Sequence, residues 1–161
     1  MNHFDPETHA YYIDDIKVPS VTEVLQAEGF IDTSYFTEKA RERGRIVHKA
    51  IHLDDLGILD PASIDPAIAG YLKAWRRFRK ESGFSITHSE LTLFNLTYRY
   101  GGTPDNINKR GEVNNRKVLI EIKTGDILNW TVLQTGAYAL LCGGNLDCIA
   151  IRLSTEGKYK L

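Results

Sequence analysis

The chain has 161 residues, 42% of them hydrophobic and 25% charged, with a formal net charge of −1. That balance is ordinary for one globular domain and excludes a disordered chain, a collagen and a coiled coil. Near-neutral charge also excludes a generic polyanion binder, so any nucleic-acid contact must rest on local basic patches. The two cysteines, Cys142 and Cys148, suit a reducing compartment. They read as small buried hydrophobes, and they cannot supply a Cys-only zinc site or an iron–sulfur cluster. The polar, acidic N-terminus has no basic region ahead of an apolar run, so no signal peptide is expected. No membrane span is expected either, because no stretch approaches about 18 apolar residues. The expected location is cytoplasmic, which is the host cytoplasm if the chain is phage-encoded.

Residues 9–18 read as a β-hairpin turning at Asp14-Asp15. Ser20 and Glu23 have capping-box spacing, which predicts a helix to about Glu28, ended by Gly29. A second helix is expected from about Ser34 to Leu56. Gly44 lies inside it and marks either a break or the close approach of another backbone, since a mid-helix glycine costs about 1 kcal/mol relative to alanine. A turn-rich stretch over 57–65 leads to an amphipathic helix over 66–82, with Ile68, Tyr71, Leu72, Trp75 and Phe78 on one face.

From Phe84 the period changes to two. Residues 84–87 and 91–94 read as strands, 98–107 as a bent strand, and 108–116 as a polar turn, together a β-meander. The run over 117–123, KVLIEIK, predicts a central strand covered on both faces. A helix over 129–142 and an apolar strand over 146–153 follow. The expected fold is α/β, with a mixed central sheet flanked by helices. A single domain over 1–161 is expected, with an N-terminal hairpin and helices over 9–82 and a sheet with its helix over 84–161.

The chemistry concentrates in Gly102-Thr103-Pro104-Asp105 and Glu121-Ile122-Lys123. Alternation puts Glu121 and Lys123 on one face of a strand and Ile122 on the other. If the two strands pair, Asp105 joins them. Two close carboxylates repel unless a cation bridges them, and a hard divalent cation with oxygen ligands answers that need. The Lys123 ammonium would then orient water or stabilise developing phosphate charge.

This pattern resembles the PD-(D/E)xK nuclease superfamily, with Pro104-Asp105 as its PD and Glu121-Ile122-Lys123 as its ExK. Three further elements are similar to the RecB-like and lambda-exonuclease-like branch, in its phage-type members. They are Gly44 to His48 as Gly-xxx-His, Gln134 to Tyr138 as Gln-xxx-Tyr, and Glu90 as an additional acid. The resemblance spans nearly the whole chain and implies a restriction-endonuclease-like core. It implies a DNA exonuclease using Mg²⁺ or Mn²⁺, without an iron–sulfur cluster, that leaves 5′-phosphate ends. It assigns catalysis to Asp105, Glu121 and Lys123, and metal ligation to His48, Asp105, Glu121 and the Ile122 carbonyl. Gln134, Tyr138, Arg45 and Glu90 fall to the substrate. DNA is the implied partner, with a homo-oligomer or a recombination or replication protein left open. A nicking endonuclease on the same core and a catalytically silent DNA-binding module are the alternatives.

The same residues have plainer readings. Asp105 suits an Asx-turn, and His52 is one turn from His48 and can replace it as ligand. The basic runs Arg41, Arg43, Arg45, Lys49 and Lys73, Arg76, Arg77, Arg79, Lys80 suit solvated helix faces. Trp130 suits either a packed indole or a base-stacking ring. Asn106 departs from the resemblance, where an apolar residue is usual.

Overall fold

The computed structural model describes residues 1–32, 34, 36–110 and 117–161, apart from the side chains of Lys109 and Arg110. Three N-terminal strands, β1 (His3–Asp5), β2 (Ala10–Ile13) and β3 (Ile16–Val18), are followed by helices α1 (Val21–Ala27), α2 (Glu38–Asp55) and α3 (Pro66–Ser82). Then come β4 (Phe84–Ser89), β5 (Leu93–Asn95), β6 (Tyr100–Gly102), β7 (Asn106–Arg110) and β8 (Lys117–Lys123). Helix α4 (Trp130–Leu141) and strands β9 (Asp147–Leu153) and β10 (Tyr159–Lys160) follow, and a short 3-10 helix, Pro61–Ser63, lies between α2 and α3.

Local chemistry sets most of these boundaries. The Ser20 hydroxyl accepts from the Glu23 N–H while the Glu23 carboxylate accepts from the Ser20 N–H, so the capping box is closed at both ends. Helix α2 starts at Glu38, later than the sequence implies. Thr37 caps it by accepting from the Ala40 N–H, whereas the Ser34 N–H is taken up by the Asp32 carboxylate in a turn. Gly44 does not break α2. A Cβ there would lie 3.8 Å from Thr124 Oγ1, an ordinary contact. Helix α3 spans the expected residues, capped by Asp65 with Pro66 in its first turn.

The central sheet has the order β10-β9-β8-β7-β4. It is mixed: β8 and β9 run parallel across the α4 crossover, and the other neighbours are antiparallel. Strand β8 is the middle strand, as its apolar run implies. Val118, Ile120 and Ile122 face α2 and α3, in a core with Ile51, Leu72, Trp75 and Phe78. On the other face Leu119 packs with Val21, Leu25 and Tyr138 of α1 and α4. No helix among the described residues is long and apolar enough to cross a membrane.

Two expectations for the sheet need correction. The strands do not form a meander, because β4 pairs with β7 and not with its successor. At Glu90 the backbone turns left-handed (φ 53°), and β5 and β6 pair with each other as a separate hairpin. The polar stretch from 108 is also not turn from its start. Asn108 to Arg110 remain in β7, held between Phe84–Ile86 and Lys117–Val118. The rest of that expected turn, 111–116, lies outside the described residues. The cysteines differ as well: Cys142 is half-buried and Cys148 exposed. Strands β1 and β10 are too short to be seen in the sequence pattern.

The N-terminal sheet is fastened to the strand that leads into Asp105. Gly101 lies under the Tyr11 ring so closely that a Cβ would come within 2.3 Å of Tyr11 Cδ1. The Tyr11 hydroxyl hydrogen-bonds Thr103 Oγ1 at 2.8 Å. Gly102 similarly admits Tyr138, whose Cε1 would be 2.7 Å from an added Cβ.

Candidate metal centre

The register of β7 on β8 builds the site. Asn106 pairs with Ile120, so Asp105, one residue earlier, sits beside Glu121 where the paired ladder ends. The Ile122 N–H donates to Asp105 Oδ2 at 2.6 Å. In a strand the N–H and C=O of one residue leave on the same side, so the Ile122 carbonyl points past the end of β7. Asp105 Oδ1 accepts from His48 Nδ1 at 2.8 Å, and Glu90 Oε1 lies 3.9 Å from the same nitrogen. Glu90 is placed by its own backbone, which donates to the Asp105 carbonyl at 3.0 Å. One ligand atom from each of His48, Glu90 and Asp105 lies within 4.8 Å of the other two.

Glu121 faces the same spot from the α4 side. Its Oε1 accepts from Lys123 Nζ at 2.9 Å, and Lys123 Nζ also donates to Gln134 Oε1 at 2.8 Å. Gln134 Nε2 in turn reaches the Tyr138 hydroxyl at 3.5 Å. The Lys123 ammonium lies 5.0 Å from the centre of the Trp130 ring, within reach of a cation–π attraction. Glu121 Oε2 is buried and has no hydrogen-bond partner among the described residues. An ionised oxygen left so is costly.

The electrostatics follow from crowding. Burial and the Asp105 charge push Glu121 up to about 7. Burial and Asp105 push Glu90 up to about 8. For Asp105, burial works upward, but His48, Lys123 and the Ile122 amide outweigh it and hold the carboxyl below its usual value. Burial works against the His48 charge, yet Asp105, Glu121 and Glu90 lift it to about 9. Without a cation, the cluster satisfies itself by keeping protons. The donor set is imidazole nitrogen and carboxylate oxygen, and it includes an orphaned carboxylate oxygen. It fits a hard or borderline divalent ion.

The structure therefore gathers Asp105, Glu121, Lys123, His48, Glu90, Gln134, Tyr138 and the Ile122 backbone at one end of β8. Glu90, expected on the substrate side, lies among the possible ligands. His52 is not in the cluster, because its Nδ1 hydrogen-bonds Ser89 Oγ at 2.9 Å. Arg45 is exposed, pairs with Glu38 at 3.3 Å, and lines a cleft of about 630 Å³ over the site. In the second basic run, Arg76 pairs with Asp54 and Arg79 with Asp55 at 3.1 Å on α2, while Arg77 pairs with Glu81 on its own helix.

Sequence reasoning missed the support behind Asp105. Asp55 is wholly buried and accepts from Trp75 Nε1 at 2.8 Å, Arg79 Nη1 at 3.1 Å and Asn106 Nδ2 at 3.1 Å. Asn106 departs from the resemblance because it faces α2 and α3 and bonds this acid. That departure was the available signal. Sequence reasoning also missed Phe4 and His9, which reach the cleft from the N-terminal sheet; nothing in the sequence marks them. No protein-family model matches the chain, and no curated protein matches it in sequence.

Proposed function

We propose that this chain is a divalent-metal-dependent deoxyribonuclease, acting as an exonuclease on DNA ends. One observation carries the reading. His48, Glu90 and Asp105 converge at the end of the central strand beside Glu121 and Lys123, and one buried carboxylate oxygen, Glu121 Oε2, has no partner among the described residues. The order of these residues along the chain and its resemblance to the nuclease pattern supply the reaction class and the exonuclease mode.

Asp105, Glu121, His48, Glu90 and the Ile122 carbonyl would hold Mg²⁺ or Mn²⁺. A bound ion supplies Lewis acidity at the phosphate and neutralises the acids. Lys123 has three N–H donors. Glu121 and Gln134 fix two of them, and the third is left to orient the attacking water or the phosphate oxygen that gains charge. Tyr138 and Gln134 hold that lysine in place from α4. In the hydrolysis, a water oxygen forms a bond to phosphorus and the bond to the 3′ oxygen breaks. The 3′ oxygen takes up a proton, leaving 5′-phosphate and 3′-hydroxyl ends.

The test is cleavage of linear and closed circular DNA with Mg²⁺, Mn²⁺ or EDTA, for the wild type, Lys123→Ala and Glu121→Gln. The expected result is metal-dependent loss of linear DNA alone, reduced at least a hundredfold in both variants. Cutting of the circle would replace the exonuclease mode by an endonuclease. No cleavage by folded protein in either metal would refute the enzyme reading.

A further inference from the structure

The chemistry above does not use the basic face of α2 or the rings around it. Arg41, Arg45 and Lys49 recur every four residues, so they share one helix face. At 1.5 Å per residue they span about 12 Å. Arg45 and Lys49 line the cleft of about 630 Å³, and Arg41 and Arg43 line a second cleft of about 370 Å³. His48 lines both. The basic face thus passes across the metal centre from one cleft to the other.

Each cleft also carries aromatic rings. Phe4 and His9 line the first, and Phe36 and Trp130 the second. His9 is exposed, is held in a left-handed turn (φ 52°), and meets Phe4 edge-on at 5.1 Å. Arg43 Nε is buried with no hydrogen-bond partner among the described residues. Glu38 pairs with Arg41 at 3.7 Å and Arg45 at 3.3 Å. These pairs are exposed and exchange readily for a phosphate. Both clefts fall in the range that holds a small ligand such as a nucleotide. A duplex hides its base faces in the stack, whereas an unpaired base offers its face to a ring.

We propose that the site takes a single DNA strand, laid along α2 with phosphates on Arg41, Arg45 and Lys49. One unpaired base sits in each cleft, against Phe4 and His9 on one side of His48 and against Trp130 on the other. This rests on the nuclease reading and deepens it by naming the substrate as unpaired DNA, either a single strand or a frayed end.

Fluorescence anisotropy in EDTA tests it, using a labelled 12-nucleotide single strand and a blunt duplex of the same sequence. The wild type is expected to bind the single strand at least tenfold more tightly. His9→Gly keeps the left-handed backbone and removes the ring. It and Trp130→Ala are each expected to weaken single-strand binding by about 5- to 100-fold, with duplex binding unchanged. Trp130→Phe restores most of the loss, which separates stacking from folding, and circular dichroism confirms that each variant is folded. Arg45→Ala reduces the salt dependence by about 0.7 in log–log slope. Equal or tighter duplex binding overturns the proposal, as does indifference to both ring removals. Single-strand binding as described without cleavage in Mn²⁺ would sink the nuclease reading and leave this one. Cleavage without strand preference would do the reverse.

Discussion

Two helix glycines, Gly70 in α3 and Gly136 in α4, give a stability test with opposite signs. Alanine at an interior helix position is worth about 1 kcal/mol over glycine. At Gly136 nothing lies within 4 Å of an added Cβ, so Gly136→Ala should gain about 0.5–1 kcal/mol. At Gly70 the added Cβ would sit 1.8 Å from the Thr155 carbonyl oxygen and 2.4 Å from its carbon. That carbonyl belongs to the β9–β10 turn, which is closed by Ser154 N–H donating to the Lys158 carbonyl at 3.0 Å. The turn must retreat by more than about 1 Å to reach an ordinary contact. It is anchored on both sides, by the Phe78 and Tyr159 rings at 5.3 Å and by Lys73 against Gly157. A clash this deep with backbone falls at the upper end of overpacking costs, about 2–3 kcal/mol, which exceeds the propensity gain. Gly70→Ala should therefore lose about 1–2 kcal/mol net, or roughly 2–8 °C in Tm for a chain of this size. Urea and thermal unfolding of the two variants beside the wild type measure both signs. A Gly70→Ala protein as stable as the wild type would refute the close seating of the β9–β10 turn on α3.

Three further outcomes are expected. Asp55→Ala removes a buried acceptor from a half-buried arginine, an indole and Asn106, and should cost about 2–4 kcal/mol in urea unfolding; a loss under 1 kcal/mol would contradict the network. Ser20→Ala opens the capping box and should cost about 1 kcal/mol, read by the same assay. In EDTA, stability should fall as pH rises. His48, raised to about 9, contributes stability that is full below its unfolded value near 6.5 and lost through pH 9. Glu121 at about 7 and Glu90 at about 8 bind protons in the folded state that the unfolded chain has already released, so they act in the same direction. Thermal melts between pH 5.5 and 9 check this, and Glu90→Gln, which removes one of the raised acids, should make the fall shallower. A rising profile would refute the cluster's electrostatics.

Much of the architecture was legible because it is written locally. The amphipathic period over 66–82, the capping box at Ser20 and the apolar run of β8 each need only their own residues. The face assignment of Glu121, Ile122 and Lys123 follows from alternation alone. The strand pairing was not legible, since the choice of β7 over β5 as partner of β4 depends on a left-handed turn at Glu90. A glutamate rarely adopts that conformation, so local pattern could not announce it. The aromatic wall over the site escaped for a similar reason. Phe4 and His9 come from the far end of the chain, and no spacing links them to His48. Asn106 was visible as an anomaly, but its partner Asp55 lies 51 residues away.

The hairpin of β5 and β6 leaves the sheet after Ser89 and returns at Asn106, and its two ends are tied by the hydrogen bond from Glu90 to the Asp105 carbonyl. Its tip carries exposed Leu96 and Tyr98. An excursion clamped at its base is a natural place for insertions and deletions. Doubling such a loop adds only about 0.6 kcal/mol of closure entropy, and the strain stays on the far side of the clamp. Asp105 is thus insulated from length variation next to it in sequence. Descendants of this chain can lengthen, shorten or exchange that tip, and with it whatever the tip touches, while the acid keeps its register against Glu121.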